Sequence, residues 1–238
     1  MPNKGKFYGI GVGPGSPELL TLKAVEILKT ADIICVPRSS AANDSVALKV
    51  AGHHISPNAE ILEISTPMVR DQDFLNTEWQ LGAEKIVEHI QAGKTVAFIT
   101  IGDSMLFSTY TYLLKKVQNA LPDILVESIP GITSFSATAA LLNRALAEGN
   151  EKLAIIPAID DPEELRVILT QFPNVVLMKV AGKYEKIVDV LDELGLKHKA
   201  VYMSKLGYPD QFFTHDLDSL RGVKREYLSL ILVKQEGF

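Results

Sequence analysis

The stretch Gly9-Ile10-Gly11-Val12-Gly13-Pro14-Gly15-Ser16 runs out of a strand-like segment, Lys6 to Val12, into a helix-like one, Leu19 to Thr30. Glycines at such a junction let the backbone turn tightly and approach a ligand. A dinucleotide-binding frame is the first pattern to test. Starting at Gly9, a G-x-G-x-x-G frame meets Pro14 in its last position, and starting at Gly11 it meets Ser16. The acidic residue that should close the second strand is also missing, because Asp32 precedes that strand and Pro37-Arg38 end it. The turn is therefore not a dehydrogenase fingerprint, and a tight βα turn with no ligand is the bland alternative.

Moving outward, strand-like and helix-like runs alternate, which is the βαβ pattern of a parallel sheet. Leu20, Ala24, Ile27, Leu28 and Ala31 form one apolar stripe, with the helix opening at Ser16-Pro17 or at Thr21. Ile33 to Val36 reads as strand, Asp44 to Gly52 as helix, Glu60 to Ile64 as strand and Phe74 to Gln91 as a long amphipathic helix. Thr95 to Ile101 is a continuous apolar, β-branched run suited to a strand buried on both faces. A helix from Thr109 to Ala120 and a strand from Ile124 to Ile129 complete five strands.

A second series follows Pro130-Gly131. It comprises a small-residue helix (Ser134 to Leu146), strands near Leu153 to Ile156 and Val175 to Val180, and a helix over Glu163 to Gln171 announced by Asp160-Asp161-Pro162. A helix at Tyr184 to Leu194 precedes strands at Ala200 to Ser204, Gln211 to Thr214 and Tyr227 to Val233. The short link between the last two predicts antiparallel pairing in this lobe. The fold class is α/β with two αβα lobes, 1–129 with a mainly parallel five-stranded sheet and 130–238 with a mixed sheet.

Composition narrows the function. The chain has 238 residues, 47% of them hydrophobic, enough to build cores without staples. The single cysteine, Cys35, lies in an apolar run and reads as a buried inert thiol. A net charge of −5 lacks the basic excess of a nucleic-acid surface. His53-His54 has no further ligands at metal-binding spacing, so no metal is expected. No apolar segment approaches the roughly 18 residues of a membrane span, and a soluble cytoplasmic protein is expected.

Two further junctions share the character of the first. In Ile99-Thr100-Ile101-Gly102-Asp103-Ser104-Met105-Leu106-Phe107-Ser108-Thr109, Gly102 allows close approach and Asp103 can accept hydrogen bonds beyond a strand's C-terminal end. An Asp that only caps the next helix is the plain alternative. In Ser128-Ile129-Pro130-Gly131-Ile132-Thr133-Ser134-Phe135-Ser136, a strand passes through glycine into a hydroxyl-rich helix start, which fits either a ligand or simple capping.

Taken in order, GIGVGPGSPELLTLKA, GDSMLFST and PGITS resemble the tetrapyrrole methylase family, over essentially the whole chain. The resemblance implies a class III methyltransferase-like fold with S-adenosylmethionine folded into the cleft between two lobes, leaving S-adenosylhomocysteine as product. Within the family, GVGPG before SPELLTLKAVEIL, and GD before the Leu106 to Tyr110 run, look most like enzymes that methylate C-20 of precorrin-2 or cobalt-factor II in cobalamin biosynthesis. Carried over by position, the implied donor contacts are Pro14, Gly102, Asp103, Leu106, Thr133, Ser134 and Met178, the last being equally readable as a core methionine. Ser104 departs from the pattern, which has proline there and thus a fixed φ. The resemblance also implies a homodimer.

Methyl transfer from a sulfonium is an in-line displacement that needs alignment and exclusion of water, and no protein nucleophile. That agrees with a sequence lacking a Ser/His/Asp or Cys/His arrangement, and no catalytic residue is assigned. A substrate rich in carboxylates calls for local basic groups, for which Arg38, Lys179 and Lys205 are the candidates. Competing readings are methyltransferases of the same fold acting on uroporphyrinogen III, diphthine or ribosomal RNA, and a nucleotide-binding sensor without chemistry.

Overall fold

The computed structural model describes residues 5–39, 45–69 and 71–238. The N-terminal lead Met1 to Lys4, and Asp44 at the start of the second expected helix, lie outside the described residues. The chain divides into two compact units, one ending at Thr133 and the other spanning Ser134–Phe238, a few residues beyond the Ile129 and Pro130 junction read from the sequence.

In the first unit the strands are β1 (Lys6–Gly11), β2 (Ile33–Arg38), β3 (Glu60–Ser65), β4 (Thr95–Thr100) and β5 (Leu125–Ile129). Between them lie α1 (Leu22–Thr30), α2 (Val46–Ala51), α3 (Gln72–Gln91) and α4 (Tyr110–Ala120). All strand pairs are parallel, in the order β3-β2-β4-β1-β5. The chain steps one way across the sheet from β1 to β3, then the other way from β3 to β5. Right-handed crossovers therefore place α1 and α2 on one face and α3 and α4 on the other.

Two separate cores match this arrangement. Ala24, Ile27, Leu28, Ala47 and Val50 of α1 and α2 pack with Ile10, Ile34, Ala97 and Ile99. Trp79, Ile86, Leu113 and Val117 of α3 and α4 pack with Phe7, Ile33, Cys35, Val96 and Phe98. The strand period of two sends successive residues to opposite cores. Cys35 is fully buried, and that burial pushes its thiol well above the ordinary range, in keeping with an inert core residue.

Local signals set the helix ends. Thr21 caps α1 by accepting from the Ala24 N–H at 3.2 Å, while Ser16-Pro17 opens only a 3₁₀ turn, Pro17–Leu19. Asp71 caps α3 through the N–H groups of Asp73 and Phe74.

The second unit contains α5 (Ser134–Leu142), β6 (Leu153–Pro157), α6 (Pro162–Gln171), β7 (Asn174–Met178), α7 (Tyr184–Glu193), β8 (Ala200–Ser204), β9 (Phe212–Thr214) and β10 (Ser229–Lys234). The sheet order is β6-β7-β10-β8-β9. β6 and β7 run parallel, β10 is antiparallel to both β7 and β8, and β9 is antiparallel to β8. The sheet is mixed as the sequence suggests, but the expected pairing of the last two strands is corrected: β9 hydrogen-bonds to β8, which separates it from β10. The small-residue helix is also shorter than read. It stops at Leu142 because Asn143 takes a left-handed φ of 51°, the usual device for ending a helix. Asp161 caps α6 through the Glu163 N–H, with Pro162 as its first residue, as the sequence indicates.

β1 is an interior strand, and Gly9 admits the fully buried Tyr110 ring from α4; a methyl group added at Gly9 falls 2.0 Å from that ring. Gly9→Ala is expected to destabilise the protein by about 1–3 kcal/mol through overpacking. Gly52→Ala serves as the control, since its added carbon meets nothing within 4 Å and its φ of −54° suits alanine. That variant should be neutral or stabilised by up to about 1 kcal/mol. Urea unfolding of both variants checks the pair.

Candidate functional site

The neighbours β1 and β4 send their following segments in opposite directions across the sheet, so a crevice opens beyond their C-terminal ends. Glycines line it. Gly13 and Gly102 form an isolated antiparallel bridge, each N–H donating to the other's carbonyl at 3.1 and 2.7 Å. Both have positive φ, 79° for Gly13 and 70° for Gly102, which side chains rarely tolerate.

A third segment, from the end of β5, closes on the same point. A carbon added to Gly131 falls 2.0 Å from the Gly102 carbonyl oxygen, and one added to Gly11 falls 2.6 Å from that oxygen and from the Gly131 nitrogen. The backbones at Gly11, Gly102 and Gly131 are therefore in direct contact. Gly102 alone of these has open space where a side chain would project. The backbone there is free for close approach by a ligand.

Asp103 ties the segments together. One carboxylate oxygen accepts from the Met105 N–H at 2.8 Å and the other from the Gly131 N–H at 2.9 Å. It does not cap the next helix: the N–H of Tyr110, at the start of α4, donates instead to Ser108 Oγ at 3.2 Å. Ser104 is fully buried and its hydroxyl donates to the Ile129 carbonyl at 3.0 Å. Ser108 Oγ donates to Thr100 Oγ1 at 3.1 Å. The Tyr110 hydroxyl lies 2.9 Å from Ser128 Oγ, and burial raises its pKa.

Among the sequence candidates, Pro14 is buried in the first turn, Gly102 and Asp103 are half-buried in the second, and Leu106 is half-buried between exposed Met105 and Phe107. Thr133 is the last residue of the first unit. The structure thus brings Gly102 and Asp103 against the first turn and against Gly131. Ser134 opens α5, and Met178 ends β7, where its carbonyl accepts from the Ala158 N–H at 2.6 Å.

The basic candidates occupy strand ends. Arg38 closes β2 and pairs with Glu63 of the adjoining β3. Lys179 follows β7 and Lys205 follows β8, and both carry positive φ, 60° and 49°. Their N–H groups donate to Ser229 and Leu228, so the two lysines bracket the start of β10, two strand spacings or about 10 Å apart. Lys205 Nζ pairs with Asp210 at 2.7 Å and Glu226 at 3.0 Å; these bonds, Asp210 first, hold its ammonium above the usual lysine range.

Sequence reasoning missed the mutual contact of Gly11 with Gly131 and the left-handed backbones at Phe107, Lys179 and Lys205. The glycines were visible as a signal; the other three are residue types that carry none.

A parallel sheet whose crevice is closed by glycine backbones, followed by a mixed five-stranded unit, defines an α/β protein of the class III methyltransferase type. The chain belongs to the Tetrapyrrole (Corrin/Porphyrin) Methylases, whose family profile matches residues 6–220. It is 35% identical to a cobalt-precorrin-2 C(20)-methyltransferase of Salmonella typhimurium, over 98% of this chain and 97% of that one. It is 30% identical to a precorrin-2 C(20)-methyltransferase of Sinorhizobium, over 96% of this chain and 95% of that one. Among solved structures, a Thermus thermophilus uroporphyrin-III C-methyltransferase complexed with S-adenosylhomocysteine matches with a TM-score of 0.69 at 21% identity, covering 98% of this chain and 99% of that one.

The two hydrogen bonds that Asp103 accepts yield a direct expectation. Asp103→Ala strands the Met105 and Gly131 N–H groups and should lower stability by about 1–3 kcal/mol. Asp103→Asn keeps one acceptor oxygen and should lose less. Denaturant unfolding with amide exchange at Met105 and Gly131 measures both; two variants as stable as the parent would remove the clamp from the account.

Proposed function

We propose that this protein transfers a methyl group from S-adenosylmethionine to C-20 of a precorrin-2-type tetrapyrrole in cobalamin biosynthesis, with cobalt already in the ring. The observation that carries the reading is the Gly13–Gly102 bridge, with the open face of Gly102 beyond the ends of β1 and β4. Ligands of open α/β sheets bind in that position. Full-length similarity to C-20 methyltransferases supports the acceptor, and the higher identity to the cobalt-precorrin relative, 35% against 30%, favours the cobalt-loaded form.

The donor supplies an electrophilic methyl on a sulfonium. Pro14, Gly102, Asp103, Leu106 and Thr133 are the proposed contacts from the first unit. For Ser134 and Met178 the same proposal rests on the family resemblance. The chain's task is to hold two reactants in line and exclude water, the tasks that lower the barrier of such a displacement. Glycines serve this because a backbone locked by neighbouring backbones presents a fixed surface with no side chain to reorganise.

The acceptor's carboxylates call for cations, and Arg38, Lys179 and Lys205 are proposed to meet them. Lys205 has two carboxylate partners and a third ammonium N–H with which to meet a substrate carboxylate. The left-handed backbones of Lys179 and Lys205 support a site there, because strain of this kind gathers where function fixes a side chain. We further propose a cytoplasmic homodimer. Among the described residues no helix is long and apolar enough to cross a membrane.

The test is a labelled-methyl assay on metal-free precorrin-2, its cobalt-loaded form and uroporphyrinogen III, run beside calorimetry with S-adenosylmethionine. Micromolar donor binding, about 8 kcal/mol, and preferential methylation of the cobalt-loaded ring are expected. Turnover on uroporphyrinogen III alone would reassign the acceptor. Light scattering should give twice the chain mass at micromolar concentration, and a monomer mass would remove the dimer.

A further inference from the structure

We propose that Ser104 is a positioning residue for the methyl donor: its buried hydroxyl, donating to the Ile129 carbonyl, fixes the 102–108 turn in the shape the donor meets. The proposal rests on the reading of these turns as the donor site.

The turn is held at both ends and displayed in the middle. At its entry, Gly102 bridges to Gly13, Asp103 accepts from Met105 and Gly131, and Ser104 donates to Ile129. At its exit, Ser108 bonds Thr100 and the Tyr110 N–H. Between the anchors, Met105 is 55% exposed, Leu106 is half-buried, and Phe107 is held at a φ of 51°. A left-handed phenylalanine persists only where the surroundings over-determine it.

Ser104 and Asp103 act on one short target. Pro130 has no N–H, so the Ile129-Pro130-Gly131 segment offers a carbonyl on one side and the Gly131 N–H on the other. Ser104 takes the first and Asp103 the second. Without Ser104, Gly102 keeps its bridge to Gly13 and Asp103 its bond to Gly131, but the turn loses its tie to the end of β5, and the 104–107 stretch gains freedom beside the open face of Gly102.

Another residue type could hold the same turn. Proline would stiffen the turn by fixing φ; this chain holds it with a hydroxyl bond. The two solutions are interchangeable on the nitrogen side, because the Ser104 N–H donates to no acceptor among the described residues.

The test uses the full chain as parent, Ser104→Ala and Ser104→Pro, with calorimetry of S-adenosylmethionine and S-adenosylhomocysteine and amide exchange at Met105 and Gly131. Ser104→Ala should weaken both ligands about five- to tenfold, the loss of roughly one hydrogen bond, and speed exchange at both amides. Ser104→Pro, which also lacks the hydroxyl, should bind within about threefold of the parent. A purely structural hydrogen bond does not give that rescue. Parent-like binding by Ser104→Ala, or binding by Ser104→Pro weaker than that limit, overturns the proposal. If Ser104→Ala does not fold, the same limit on Ser104→Pro decides alone. A parent that binds neither ligand removes the donor reading and this proposal with it, whereas a binding parent with an indifferent Ser104→Ala removes only the role of Ser104.

Discussion

The carbonyl of Gly102 is the point on which the packing of the first unit's strand ends depends. The backbones at Gly11 and Gly131 pack against it so closely that a single added carbon at either falls within 2.6 Å of its oxygen. Such contact requires glycine at both positions, because backbone atoms of packed strands cannot yield as the end of a flexible side chain can. It also requires the sheet order, since β1 lies between β4 and β5 and only adjacent strands deliver their ends to one place. The long-range pairing of the sheet thus fixes a local contact between residues more than a hundred positions apart in sequence.

Around that contact the polar groups are nearly all committed. Asp103, Ser104, Ser108, Thr100, Tyr110 and Ser128 form bonds within the end of the sheet. Partly buried bonds of this kind matter more than the many ion pairs of the second unit, whose exposed carboxylates are screened by solvent. The second unit places strain where the first places glycine: Lys179 and Lys205 adopt left-handed backbones while bonding to the segment that begins β10. A glycine there would relieve the strain and remove the cation.

The architecture was legible because its signals are local and redundant. Continuous apolar strands between amphipathic helices give a parallel sheet, and Thr21 and Asp161 mark helix starts by the bonds their side chains make. The pairing of β9 was read with the wrong neighbour: β8 precedes it by a shorter link than the one leading to β10, and it is β8 that takes the place beside it. The end of α5 failed for a related reason. Asn143 can enter the left-handed region, but nothing in the small-residue run before it says that it does. At the candidate site, the glycines and Asp103 are conspicuous in the sequence; their partners are not, since the hydrogen bond from the Gly131 N–H to Asp103 spans 28 positions and depends on the completed sheet.

A reaction that asks nothing nucleophilic of the protein changes what counts as functional machinery. In an in-line methyl transfer, misplacement of either reactant by a fraction of an ångström lowers the rate as surely as loss of a catalytic group does elsewhere. Groups that immobilise the turns then contribute to catalysis without touching either reactant. This explains why the strongest polar interactions near the crevice point inward, to other backbone segments, instead of outward to solvent. Ser104 is one such group: it is fully buried, and its hydroxyl bonds a strand-end carbonyl at the start of the turn.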